Sequence, residues 1–239
     1  MSITPLKRAV LPSNVRELCL RLKDIGARPL IVGGWVRDRL MGLAVKETND
    51  IDIEVFHISF ERLSQLFAKE PHAAYPKFGV LRLDYADLSL PRIEQCTGPK
   101  YNDFCVQIKP DLSFEEAGLR RDFTLNAIGW DPFSEELLDP FNGVNDLEKK
   151  LLKPISTAFM EDSYRILRAS QLIARFDFNP DLQLLEYGAL MSYEKLSSKH
   201  IQDTRFMLQS APYREKAFQF LQTIGWQSVA DAVDNKSKL

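Results

Sequence analysis

The segment NDIDIEVF, residues 49–56, sets Asp50, Asp52 and Glu54 at alternate positions among Ile51, Ile53 and Val55. Alternation is the period of a β-strand, so the apolar residues face a core and the three carboxylates share the other side. Two carboxylates on one strand face lie about 6 to 7 Å apart, close enough to clasp a hard, oxygen-seeking cation. A solvated strand edge gives the same pattern, since charged outward faces also guard sheets against edge-to-edge pairing.

A second signal precedes it by a dozen residues. In GGWVRD, residues 33–38, glycines without Cβ let backbone N–H groups approach a phosphate, and a helix starting there adds its positive end. Gly33 and Gly34 would form the cradle and Arg37 would fork onto phosphate oxygens. A tight turn alone would also use two glycines, and it is the pairing with D-x-D that favours the phosphate reading. In DYADLSLPR, Asp87 and Ser89 share a face opposite Leu88 and Leu90, so a neighbouring strand supplies a third carboxylate. Such a set holds two Mg²⁺ about 4 Å apart, one on an attacking hydroxyl and one on a leaving pyrophosphate. Asp84 competes for the role, but the alternation puts it on the face opposite Asp87.

Two further clusters carry charge. LRRDFTLNA places Arg120, Arg121 and Asp122 after a helix, where cations can meet the helix's negative end or hold phosphate. EDSYRILRASQLIARF sets Asp162, Arg165 and Arg168 within an arc of roughly 120° on one helix. An ordinary ion pair of Arg165 with Glu161 or Asp162 explains that spacing. A fixed carboxylate beside a guanidinium also offers the acceptor and donors needed to read the edge of a base. His57, His72 and His200 lack metal-ligand spacing and read as structural or surface residues. Cys19, Cys96 and Cys105 lack C-x-x-C spacing and read as buried small hydrophobes in a reducing compartment.

The elements that must position these residues follow from periodicity. SNVRELCLRLKDIG is an amphipathic helix with Ser13 or Asn14 as N-cap; RPLIVGGWVRDRLMG is a strand from Leu30 to Val32, a glycine turn and a helix. NDIDIEVF is a strand, SFERLSQLFAKE a helix opened by Ser59, and FGVLRLDYADLSLPRIE a hairpin. TGPKYN is turn-rich, FCVQI is a strand, and Ser113 and Glu116 have capping-box spacing. Beyond Pro154 the pattern is helical. The chain of 239 residues, 45% hydrophobic and 27% charged, has length enough for a real core. Its formal charge of −2 excludes a global positive field, so any anion must be held by a local cluster. The N-terminal segment has no apolar signal region and no later stretch suits a membrane span, which implies a cytoplasmic protein without a membrane partner.

The order VGGWVRD, NDIDIE, SLPRIE, RRDFTLNAI, LDPFNGVNDL and FMEDSYRILRASQLIARF resembles the class II tRNA nucleotidyltransferase and bacterial poly(A) polymerase family, from about Leu30 to Phe176. The resemblance implies an α+β fold: a polymerase-β-like head with a small mixed sheet and flanking helices over residues 1–150, then an all-α neck over 151–239. It implies Mg²⁺ as cofactor, CTP and ATP as substrates, and an RNA 3′ end, that of tRNA, as acceptor. Asp50 and Asp52 match the metal-binding pair and Asp87 the third catalytic carboxylate. Gly33 and Gly34 fall on the glycine turn of the nucleotide site; Arg37, Arg121 and Arg168 match residues that hold the nucleotide, and Asp162 with Arg165 the pair that reads the base. Arg92 and TGPKYN resemble the loop that helps the site change from CTP to ATP.

The sequence departs from the family pattern at Ser163, usually proline or a small apolar residue, and at Gln171, often arginine. Family members also continue well past residue 239, so the expectation is weak RNA binding, with a homo-oligomer or a separate C-terminal subunit supplying the rest. The leading reading is template-independent addition of CMP and AMP to a tRNA 3′ end. A poly(A) polymerase using ATP alone, or a non-catalytic RNA- or nucleotide-binding remnant, shares these motifs.

Overall fold

The computed structural model describes residues 3–7, 11–44, 51–70, 72–98 and 104–234. Helix α1, Ser13–Asp24, buries Val15, Leu18, Cys19 and Leu22 at helical spacing. Neither expected residue caps it: Ser13 is already helical, and Asn14 Oδ1 accepts from the adjacent Val15 amide at 2.9 Å. Strand β1, Arg28–Val32, leads through Gly33 into helix α2, Gly34–Leu40. Strand β2 is Asp52–Phe56. Helix α3, Phe60–Leu66, is capped by Ser59, whose side chain accepts from the Arg62 amide.

Strands β3 (His72–Tyr75), β4 (Val80–Leu83) and β5 (Ala86–Ser89) form a meander, and β4 and β5 are the expected hairpin. Strands β6 (Arg92–Cys96) and β7 (Phe104–Ile108) make a separate antiparallel ribbon. Helix α4, Phe114–Gly118, has the capping box of Ser113 and Glu116. Strands β8 (Gly129–Trp130) and β9 (Leu137–Leu138), helix α5 (Gly143–Glu148) and strand β10 (Leu151–Leu152) complete this half. The main sheet runs β3-β4-β5-β2-β1-β8-β9, and its one parallel pair is β2 with β5.

Both faces of the central strands are covered. Ile31, Ile53 and Val55 enter the main core with α1. On the opposite face Leu30, Val32 and Phe56 form a second cluster with Phe114 and Ala117 of α4. A Cβ on Gly129 would lie 2.5 Å from the Phe114 ring, so glycine in β8 is what lets α4 seat on that face.

The rest is helical, as the periodicity implied: α6 (Tyr164–Phe176), α7 (Leu182–Leu190), α8 (Ser198–Gln209), α9 (Arg214–Thr223) and α10 (Gln227–Asp234). One short strand, β11 (Asn179–Pro180), interrupts them and pairs with β10. His200 belongs to the capping box of α8 and stacks on Tyr164, a structural role. Cys19 is buried, but Cys105 is exposed on the ribbon, which corrects its assignment to the core. Among the described residues no helix is long and apolar enough to cross a membrane.

Candidate active site

The turn between β1 and α2 brings backbone and carboxylate together. Gly33 has φ of 74°, and a Cβ on it would stand 2.9 Å from Asp52 Oδ2. Only glycine accepts both that conformation and that approach. Asp52 opens β2 on its exposed side, opposite Val32, and its register partner on β5 is Asp87. Adjacent strands lie about 4.8 Å apart, so the sheet sets these two carboxylates side by side. Arg82 of β4 donates to Asp87 Oδ2 at 3.0 Å. Asp84 falls in the β4–β5 turn. Asp50 lies outside the described residues, as do residues 99–102 of the turn-rich segment.

Glu54 overturns part of the strand reading. It shares the face of Asp52 yet is fully buried, because the chain leaving α4 lays two arginines over it. Arg120 donates to Oε1 at 2.8 Å and Arg121 to Oε2 at 3.0 Å. Burial alone would raise the Glu54 pKa; the charges of Arg121 and Arg120 and their hydrogen bonds outweigh it and hold the carboxyl below its ordinary range. Glu54 is therefore an anchor for Arg120 and Arg121, away from solvent.

Arg37 is also placed differently from expectation. It is 5% exposed and already forked, with Nε and Nη2 on Asp38 Oδ1 at 2.8 and 2.6 Å and Nη1 on Asn126 Oδ1 at 2.6 Å. Its guanidinium also lies over the Phe176 ring. Burial lowers its pKa, with Asp38 acting against that and Arg175 with it. An adjacent aspartate has claimed the fork that the motif offered to phosphate.

Helix α6 contributes three further cations. Arg165 reaches away from its own helix. It donates to the carbonyls of Ala158 at 2.9 Å and Arg120 at 2.8 Å, which fixes the guanidinium between two segments. Asp162 precedes the helix, at the end of a 3₁₀ turn over Thr157–Glu161, and accepts from the Tyr164 amide at 2.9 Å. Arg168 donates through Nε to Asp122 Oδ2 at 2.7 Å. The Asp122 charge raises the Arg168 pKa. Asp122 is itself buried; burial would raise its pKa, but Arg168 and the donors Asn126 and Phe123 N–H hold it low.

These elements surround one cavity of about 680 Å³. Gly33, Gly34, Arg37, Asp52, Arg121, Asp162, Arg165 and Arg168 all line it, whereas Asp87 does not. Its wall carries six arginines and four aspartates, a local cationic excess in a chain of formal charge −2. The volume suits a ligand of nucleotide size. Asp38, Asn126 and Arg175 also line the wall without having been singled out from sequence; Arg175 donates to Asp38 Oδ2 at 3.0 Å. Arg175 stands seven residues from Arg168 on the same helix, a spacing that could have flagged it.

A mixed sheet with a glycine turn against paired aspartates, followed by a helical segment that closes the cavity, has the fold of the CCA-adding enzymes. The Bacillus stearothermophilus CCA-adding enzyme in complex with CTP superposes on 95% of this chain and 56% of its own, with TM-score 0.71 and 22% identity. The Thermotoga maritima enzyme complexed with tRNA gives TM-score 0.67 over 90% of this chain and 52% of its own, at 22% identity. The chain belongs to the family of the poly A polymerase head domain, which matches residues 30–153. It is 40% identical over 146 residues to the multifunctional CCA protein of Thioalkalivibrio sulfidiphilus, covering 61% of this chain and 34% of that one. It is 42% identical over 146 residues to the CCA-adding enzyme of Marinobacter nauticus, covering 61% of this chain and 38% of that one. The match thus spans about a third of the length of these relatives.

Proposed function

We propose that this chain transfers CMP and AMP from CTP and ATP to the 3′ end of a tRNA without a template. The observation that carries the reading is one shared cavity, lined by the glycine turn and Asp52 together with Arg121, Arg165 and Arg168. Residues 1–150 act as the catalytic head and 151–239 as the neck. The triphosphate lies along Gly33, Gly34, Arg121 and Arg168. Asp162 and Arg165 meet the edge of the base, with Arg165 already oriented by its two carbonyl bonds. Arg37 holds Asp38 and Asn126 in the wall and meets phosphate only where that network opens.

The oxygen donors of Asp52 and Asp87, adjacent across β2 and β5, fit hard divalent cations, and Asp50 joins them by its match to the family pattern. Bound Mg²⁺ would supply activation of the attacking ribose hydroxyl and stabilisation of the pyrophosphate that leaves. The exposed thiol of Cys105 suits a reducing compartment, the cytoplasm. Equilibrium binding of MgCTP and MgATP tests the assignment of the cavity. Both nucleotides are expected to bind the parent chain and to bind Arg168→Ala at least tenfold more weakly; equal affinity in the variant would place the nucleotide elsewhere.

A further inference from the structure

We infer that Asn126 is the positioning residue of the anion-binding wall, the group that ties head cations to a neck cation in one arrangement. The inference rests on the nucleotide reading of the cavity. Asn126 is 6% exposed and follows the Arg120–Arg121–Asp122 run by a single 3₁₀ turn. Its side-chain oxygen accepts from Arg37 Nη1 at 2.6 Å and its amide nitrogen donates to Asp122 Oδ1 at 3.0 Å. The other oxygen of Asp122 accepts from Arg168 Nε at 2.7 Å. The backbone carbonyl of Asn126 also accepts from Arg121 Nη1, at 3.5 Å. One residue therefore connects Arg37 of α2, Arg121 after α4 and, through Asp122, Arg168 of α6.

The chemistry of the site calls for a group that both accepts and donates. Guanidinium groups donate and never accept, and an ionised carboxylate accepts and never donates. A group lying between Arg37 and Asp122 must accept on one side and donate on the other. Asparagine does both with its oxygen toward Arg37 and its nitrogen toward Asp122; the flipped amide would oppose donor to donor and acceptor to acceptor. The network also explains why Arg37 is buried at the wall. It links Asn126 to Asp38, which receives Arg175, so the cations along the cavity share one chain of partners.

The test uses the full 239-residue chain and two probes, inorganic tripolyphosphate and MgATP, titrated calorimetrically. Asn126→Ala is expected to weaken tripolyphosphate about 10- to 100-fold, the loss found when groups that orient metal ligands are removed. Asn126→Asp keeps the acceptor for Arg37 but sets two carboxylates against each other, with Arg121 and Arg168 nearby and Asp38 beyond Arg37. Such a pair binds a shared proton, which restores the missing donor. That variant should bind tripolyphosphate more tightly near pH 5.5 than near pH 8, relative to the parent at each pH, and a merely structural role would not produce this profile. Unchanged affinity in a folded Asn126→Ala, or a parental pH profile in Asn126→Asp, overturns the inference. Should the alanine variant not fold, the pH profile of Asn126→Asp decides alone. If the parent chain binds neither probe, the nucleotide reading falls and this one with it; loss confined to the variants leaves that reading standing.

Discussion

Replacing Glu54 by glutamine removes one negative charge from beneath two arginines while keeping the shape of the side chain. The parent carboxylate is fully buried and takes one charge-assisted bond of 2.8 Å from Arg120 and one of 3.0 Å from Arg121. Each such bond contributes about 1.5 to 3 kcal/mol. Glutamine offers one oxygen to one arginine and turns its NH₂ toward the other. Burial already lowers the Arg120 pKa to about 10 with Glu54 beside it, so the uncompensated charge is costly. Breaking a buried pair from one side costs about 3 to 5 kcal/mol, and that is the loss expected for Glu54→Gln near neutral pH. The Glu54 pKa is depressed in the folded state, so its stabilisation is present above the ordinary value of 4.5 and is lost as pH falls through the folded value. The gap between parent and variant should therefore shrink with acidification below that range, while the similar contribution of Asp122 cancels between them. Urea unfolding of both proteins at neutral and acid pH measures this. A loss under about 1 kcal/mol at neutral pH, the size of an exposed ion pair, would refute the anchoring role.

Three other outcomes follow from the same geometry. Asp52→Ala should abolish nucleotide transfer with little change in unfolding free energy, since Asp52 is exposed at the start of its strand; transfer within a few-fold of the parent removes it from the mechanism. Arg165→Ala should cost about 3 kcal/mol in urea unfolding, because it deletes two charge-assisted bonds to carbonyls, and should also blur the choice among nucleotides; a loss near 0.5 kcal/mol would return Arg165 to the class of exposed helix residues. Gly33→Ala should weaken nucleotide binding and destabilise by about 1 to 3 kcal/mol, as its Cβ would meet Asp52 Oδ2 at 2.9 Å on a backbone of positive φ; a crystal structure of the variant with Asp52 unmoved would contradict this.

Strands β1, β2, β4, β5 and β7 and the helical second half are legible in the sequence because each rests on local periodicity, whereas β3, β8 and β9 carry no such signal. Asp52 is exposed at the start of β2 and Asp87 lies on the face of β5 opposite buried Leu88, as the alternation implies, and the parallel register makes the two neighbours. Period two reports which side a residue faces and says nothing of what covers that side, so it cannot show that Arg120 and Arg121 bury Glu54. The bonds that Arg37 makes are hidden for a related reason: its partners are Asp38, adjacent in sequence, and Asn126, 89 residues away. Asp162 was counted into α6, although the helix begins at Tyr164. The part played by Asn126 within RRDFTLNAI depends on an acceptor and a donor that only the fold brings to either side of it.

The most direct measurement is incubation of the purified chain with Mg²⁺, tRNA lacking its 3′ end and each labelled nucleotide in turn. Incorporation of CMP and then AMP, lost in Asp52→Ala, is the expected result. A folded chain that binds MgCTP and MgATP yet extends the RNA with neither would contradict it.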